Sequence, residues 1–278
     1  MINIVRISRP RFWLYLFGTY LVGLAAGAGS TSDFLRVDSI LFGLYFLLPA
    51  NLLVYGINDI FDFETDRLNP KKAEYEMLVR PESHRHLAIW TIVLNLPFLV
   101  AAYFVAYSAL FPLAAFLILS IFYSAPPIRA KAMPIVDSLF NILYVFPGAF
   151  AYQMITGNFP PLPVMIAAGA WTSAMHAFSA IPDIDADRKA GLSTIATLVG
   201  KSGTLVFCLV MYVASAAVAF PYLHSVSIMV GFLYVGVILI SYFEKDPTTV
   251  FKIYQRFPLL NAGVGLALFW FVAISNLF

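Results

Sequence analysis

Nine apolar runs recur along the chain, at roughly 10–29, 39–58, 86–106, 108–124, 135–156, 163–181, 204–222, 225–243 and 258–277. Each comes close to the roughly 20 residues that an α-helix needs to cross the hydrocarbon core of a bilayer. No water reaches that core, so the backbone groups of such runs must be satisfied within their own helices. Composition agrees: 12% of the residues are charged and 61% are hydrophobic, against roughly a quarter charged in soluble domains. The expected fold class is all-α, a polytopic membrane protein with nine transmembrane helices around a central cavity, residues 1–278 forming a single domain.

The basic residues orient that bundle. Arg6, Arg9 and Arg11 precede the first run, and Arg67, Lys71, Lys72, Arg80 and Arg85 follow the second. Arg129 and Lys131 follow the fourth, Arg188, Lys189 and Lys201 the sixth, and Lys245, Lys252 and Arg256 the eighth. Sixteen of the 17 Lys and Arg therefore fall on one side, leaving Arg36 on the other. By the positive-inside rule that side, with the N-terminus, is cytoplasmic, and the expected location is the cell membrane. The first run lacks a cleavage site leading to a soluble region and reads as a retained helix. A net charge of +2, with no basic stripe interleaved with aromatics, gives no case for a nucleic-acid partner. Cys208 stands alone, which excludes an internal disulfide or a cysteine-based metal site and leaves a small buried hydrophobe.

Against this background the stretch NDIFDFETDRLNP, residues 58–70, is anomalous: four acidic side chains at the cytoplasmic end of the second run. If that helix continues, Asn58, Asp62 and Asp66 share a face at i, i+4 and i+8 with Asp59 beside them, while Glu64 points away. The sixth run ends in PDIDAD, where Asp183 and Asp187 are likewise i, i+4 and Asp185 points elsewhere. The matching layouts are those expected of two related halves. Like charges stacked at i, i+4 destabilise a helix unless a cation intervenes. Oxygen-only ligands suit Mg²⁺, which shares itself among carboxylates, water and substrate phosphates. Two such sets could hold two or more ions against a diphosphate. A lone acidic run at a membrane edge reads as solvated charge; two with the same spacing favour the metal.

The paired patterns N58-D-x-x-D62-x-x-x-D66 and D183-x-x-x-D187, on a chain of nine runs, resemble the UbiA superfamily of intramembrane prenyltransferases. The resemblance covers essentially the whole chain. It implies that Asn58, Asp62 and Asp66, with Asp183 and Asp187, hold Mg²⁺ against an allylic prenyl diphosphate (dimethylallyl or longer), and Asp59 matches the second letter of the first motif. It also implies that the loop from Tyr123 touches the diphosphate through a tyrosine and a cation. The common Tyr-x-x-x-Lys spacing is replaced here by YSAPPIRAK, so Arg129 and Lys131 both stand for that contact. SRPRFWLYLFGTYLVG with NDIFDFETDRLNPKK most resembles the branch that lengthens lycopene with C5 units.

Metal ions bridging the phosphates would stabilise the leaving group, and cations should add to that. Arg67, Lys71, Lys72, Arg80, Arg129, Lys131, Lys189 and Lys201 are available, each equally explained by membrane topology alone; Arg80, before Pro81, and Lys131 are preferred. Asn51, two turns before Asn58, is expected to face the acceptor cavity. Asp137 and Asn141 form a second polar pair inside a run, either near the acceptor or as a helix-packing hydrogen bond. His176, two turns before Asp183, reads as a packed histidine ahead of a base. The expected acceptor is a lipophilic molecule within the membrane lipid, first a carotenoid such as lycopene, with an aromatic acid of quinone synthesis as the alternative. A secondary transporter would place its carboxylates near the midplane on broken helices, and a membrane alcohol phosphotransferase would show a DG-x-x-AR pattern, which is absent.

Overall fold

The structure, a computed structural model, describes residues 3–67 and 77–277. Among these every regular element is a helix: α1 Ile4–Ile7, α2 Trp13–Gly27, α3 Val37–Leu47, α4 Pro49–Phe61, α5 Phe63–Asp66, α6 His84–Val105, α7 Leu110–Ser124, α8 Val136–Leu139, α9 Phe146–Thr156, α10 Leu162–Ala180, α11 Ile184–Lys189, α12 Ile195–Leu223, α13 Ser225–Phe243 and α14 Pro247–Leu277, with short 3-10 turns between some of them.

Eight stretches of helix among the described residues are long and apolar enough to cross a membrane, rather than nine. The difference is α2. Pro10 forces a 3-10 turn, Pro10–Phe12, before it, and the 15 residues that remain helical span about 22 Å at 1.5 Å per residue, short of the roughly 30 Å core. Two other boundaries move. α12 begins at Ile195, not near 204, because Thr194 and Thr197 form a capping box and Gly200, at φ 67°, absorbs a kink. α14 begins at Pro247, not 258, because Pro258 sits inside the helix and Asp246 caps its start, its Oδ1 accepting the Thr248 N–H at 3.0 Å.

The chain divides into two compact units. The first comprises residues 1–128, 146–160 and 262–278. Its interior is aromatic: Phe42, Phe46, Phe116 and Phe150 are fully buried, with Phe42 and Phe150 at 4.7 Å and Phe46 5.6 Å from both Phe116 and Phe150. Lipid is as apolar as a phenylalanine, so close packing rather than the hydrophobic effect must hold helices together here. α2 and α9 accordingly meet backbone to backbone: a Cβ on Gly23 would lie 2.0 Å from the Gly148 carbonyl oxygen. One turn further on, at the C-terminal end of α2, Asn276 Nδ2 donates to Ala26 O at 3.0 Å.

The second unit comprises residues 129–145 and 161–261. α10 and α12 are joined by Cys208 Sγ donating to Ala174 O at 3.3 Å and Ser215 Oγ donating to Ala167 O at 2.8 Å, so Cys208 is the small buried side chain expected. Tyr212 stacks on Tyr234 at 4.7 Å, and the Tyr234 hydroxyl donates to Asn261 Oδ1 at 2.8 Å. Large apolar side chains such as Phe104, Met229 and Phe232 remain exposed, the outer face of a protein whose solvent is lipid.

Candidate active site

The first acidic set forms where α4 ends. The helix closes at Asp62 (φ −109°, ψ 7°), and one turn, α5, follows with the Asp66 N–H donating to Asp62 O at 2.8 Å. The helix is thus broken rather than continuous, yet the Asp62 N–H still donates to Asn58 O at 2.9 Å, so Asn58, Asp62 and Asp66 keep their i, i+4 register. Asp62 is fully buried. Its Oδ2 accepts from Asn58 Nδ2 and, at 3.1 Å, from Ser124 Oγ at the end of α7; Asn58 Nδ2 also donates to Ser124 Oγ at 3.0 Å. Asp66 is half-buried and Glu64 exposed, as the helical spacing predicts.

Asp59, among the expected metal ligands, is paired with an arginine. It is buried, and Arg9 Nη2 donates to its Oδ1 at 2.8 Å. The same guanidinium lies 4.6 Å from the Tyr55 ring centroid and donates to Asn58 Oδ1 at 3.4 Å.

The second set, in the other unit, is built to the same plan. Pro182 has no N–H to carry α10 onward, so a 3-10 turn, Ile181–Asp183, intervenes. Asp183 (φ −95°, ψ −5°) then opens α11, which carries Asp187. Asp183 and Asp187 are half-buried and Asp185 is exposed. The following loop is pinned: the Leu192 N–H donates to Asp187 O at 2.9 Å, and the Ile195 N–H donates to Asp137 Oδ2 at 2.9 Å.

That last bond shows what Asp137 does in the fold: fully buried, it caps α12. Asn141 Nδ2 donates to the Asp137 carbonyl at 2.7 Å rather than to its carboxylate. Asn51 Nδ2 donates to Phe46 O at 2.9 Å and Leu47 O at 3.0 Å, carbonyls orphaned where Pro49 breaks α3 from α4. All three residues expected at the acceptor therefore make helix-end hydrogen bonds.

Of the expected diphosphate cations, Arg80 and Lys189 are exposed, while Arg129 and Lys131 are half-buried. Arg129 adopts the left-handed conformation, φ 47°. Lys201 Nζ donates to Glu244 O at 2.6 Å, and Arg67 pairs with Glu64 at 3.0 Å on the surface. Lys71 and Lys72 lie outside the described residues. Tyr123 is half-buried, one residue before the Ser124 that contacts Asp62. His176 is half-buried, its carbonyl accepting from Ser179 Oγ at 2.7 Å.

Among the described residues no three His, Cys, Asp or Glu side chains converge closely enough to hold an ion by themselves. The donors present are the carboxylate oxygens of Asp62 and Asp66 in one unit and of Asp183 and Asp187 in the other. Such a set fits an ion like Mg²⁺, which takes one or two carboxylates and completes its shell with water and phosphate oxygens. Two contributors escaped the sequence reading, Arg9 and Ser124. In the sequence Arg9, before Pro10, carries only a topology signal, and Ser124 is an ordinary member of the YSAPPIRAK loop.

Comparison with known proteins decides the family. The model of the UbiA prenyltransferase family matches residues 16–257. The chain belongs to the UbiA prenyltransferase family. A lycopene elongase/hydratase of Halobacterium salinarum is 40% identical over 98% of this chain and 92% of its own. One of Haloferax volcanii is 38% identical over 96% of this chain and 87% of its own. Among solved structures, a UbiA homolog from Archaeoglobus fulgidus bound to DMAPP and Mg²⁺ has a TM-score of 0.70 at 21% identity, covering 96% of this chain and 99% of that one. This UbiA protein is thus an integral membrane prenyltransferase, most like the lycopene elongase branch, which sets the transporter and phosphotransferase alternatives aside.

Proposed function

We propose that the chain transfers a prenyl group from an allylic diphosphate to a carotenoid such as lycopene within the membrane, a C5 unit where the donor is dimethylallyl diphosphate and a longer one where the donor is longer, with two or more Mg²⁺ ions as cofactor. The observation that carries this reading is the pair of aspartate sets built to one plan, on a chain 38–40% identical over nearly its whole length to lycopene elongase/hydratases. The DMAPP and Mg²⁺ bound to the A. fulgidus homolog support the donor and the metal.

When bound, Mg²⁺ supplies Lewis-acid neutralisation of the leaving diphosphate. The chain's own part is to present Asp62, Asp66, Asp183 and Asp187, with Asn58 and Ser124 fixing the Asp62 carboxylate. Tyr123, Arg80, Arg129, Lys131 and Lys189 supply donors and positive charge for the diphosphate oxygens, where electrostatic stabilisation matters most. An alkene acceptor carries no group for hydrogen bonding, which agrees with Asn51, Asp137 and Asn141 serving helix ends. The diphosphate side faces the cytoplasm in this reading, in the cell membrane. The test is purified protein in lipid nanodiscs with lycopene and radiolabelled dimethylallyl diphosphate: label should enter the carotenoid fraction only with Mg²⁺, and an unlabelled fraction would overturn the proposal.

A further inference from the structure

Arg9 lies outside both motifs, yet its side chain is built into the first. Its backbone is left-handed, φ 53° and ψ 74°, a conformation that costs an L-residue about 1–2 kcal/mol and that glycine would adopt freely. A backbone preference therefore does not explain an arginine there. The segment around it is held at both ends: Ile7 is buried against Leu52, Val79 and Leu87, and Trp13 Nε1 donates to Ser8 Oγ at 3.0 Å. Between these anchors the guanidinium meets three residues of one face of α4: the Tyr55 ring, the Asn58 carbonyl and the Asp59 carboxylate.

The consequence falls on Asn58. A carboxamide has a donor end and an acceptor end. Arg9 has only donors, so the Asn58 Oδ1 must face it, and the NH₂ end is thereby turned to Asp62 Oδ2 and Ser124 Oγ. We propose that Arg9 is a positioning residue of the prenyl-transfer site: by gripping Asp59 and the Asn58 carbonyl it sets the orientation in which Asn58 holds the Asp62 carboxylate toward the metal and diphosphate. It touches neither substrate nor metal. Asp59 is the counter-ion of this grip rather than a ligand. The proposal rests on the reading of Asp62 as a metal ligand.

The experiment is a Mn²⁺ titration followed by electron paramagnetic resonance. It uses the full-length purified protein with dimethylallyl S-thiolodiphosphate, a donor analogue that does not ionise, and a thermal melt of each variant alongside. Arg9→Gln should weaken Mn²⁺ binding about tenfold, the lower end of what loss of a ligand's supporting hydrogen bond costs. Arg9→Lys, a point charge without the planar fork, should fall between Arg9→Gln and the wild type. Asp59→Asn, which keeps the shape and removes the counter-charge, should match Arg9→Gln and serves where Arg9→Gln does not fold. Unchanged Mn²⁺ affinity in the folded variants, whatever their melting temperature, overturns the proposal. A wild-type protein that binds no Mn²⁺ overturns the metal reading itself.

Discussion

Asp62 and Asp183 adopt the same backbone conformation, φ −109° and ψ 7° against φ −95° and ψ −5°. Each stands where a long apolar helix gives way to a short one carrying a second aspartate four residues on. Both fall in the bridge region, where active-site residues are often found. The likeness of layout read from the sequence is therefore a likeness of local structure, each copy in its own unit.

Asp62→Ala and Asp183→Ala should each lower prenyl transfer by roughly 100-fold or more, the scale of losing one group that stabilises a transition-state charge. Asp183→Ala should melt close to the wild type, whereas Asp62→Ala, which takes the acceptor from the Asn58 and Ser124 donors, should stay folded with a lowered melting temperature. A folded variant with near-normal turnover would remove that residue from the site.

Ser124→Ala deletes the 3.1 Å hydrogen bond to Asp62 and leaves a cavity no larger than an oxygen. Activity should fall about tenfold, and Ser124→Thr, which keeps the hydroxyl, should restore most of it. Equal loss in both variants would mean that packing, not the hydrogen bond, is what matters.

Asp137→Ala leaves the buried Ile195 N–H without its acceptor, a cost of about 1–3 kcal/mol. The melting temperature should drop while the product pattern is unchanged. A changed product with an unchanged melt would return Asp137 to the acceptor site.

Asp246 provides the clearest pH effect outside the spans. Hydrogen bonds from Thr248 and Thr249 hold its carboxyl down at about 2. A depressed folded value means that the stabilisation of the α14 start is complete above the unfolded value of about 3.9 and is lost as pH falls through about 2. Amide exchange in the first turn of α14 should accelerate in that window, and Asp246→Ala should show fast exchange at every pH.

Helices and motifs were legible because a span must be apolar and a motif keeps fixed spacing. Less legible was everything set by contacts distant in sequence. Arg9 looked like one more cytoplasmic charge, and only the fold brings it 50 residues along the chain to Asp59. Asn51 and Asp137 looked functional because polar residues in lipid are costly; the carbonyls and amides they satisfy arise from helix breaks that periodicity does not show. Pro10 and Pro258 have opposite outcomes, one shortening a helix and one sitting inside it, because neighbouring helices decide whether a proline's lost hydrogen bond is tolerated.

The most direct test of the account is the mass of carotenoids extracted from lycopene-producing bacterial membranes with and without this protein. Lycopene should gain one or two C5 units, with or without added water, and should stay unmodified when Asp62→Ala or Asp183→Ala replaces the wild type. Unmodified lycopene beside folded, membrane-inserted wild-type protein would contradict the carotenoid acceptor and direct the search to an aromatic acid.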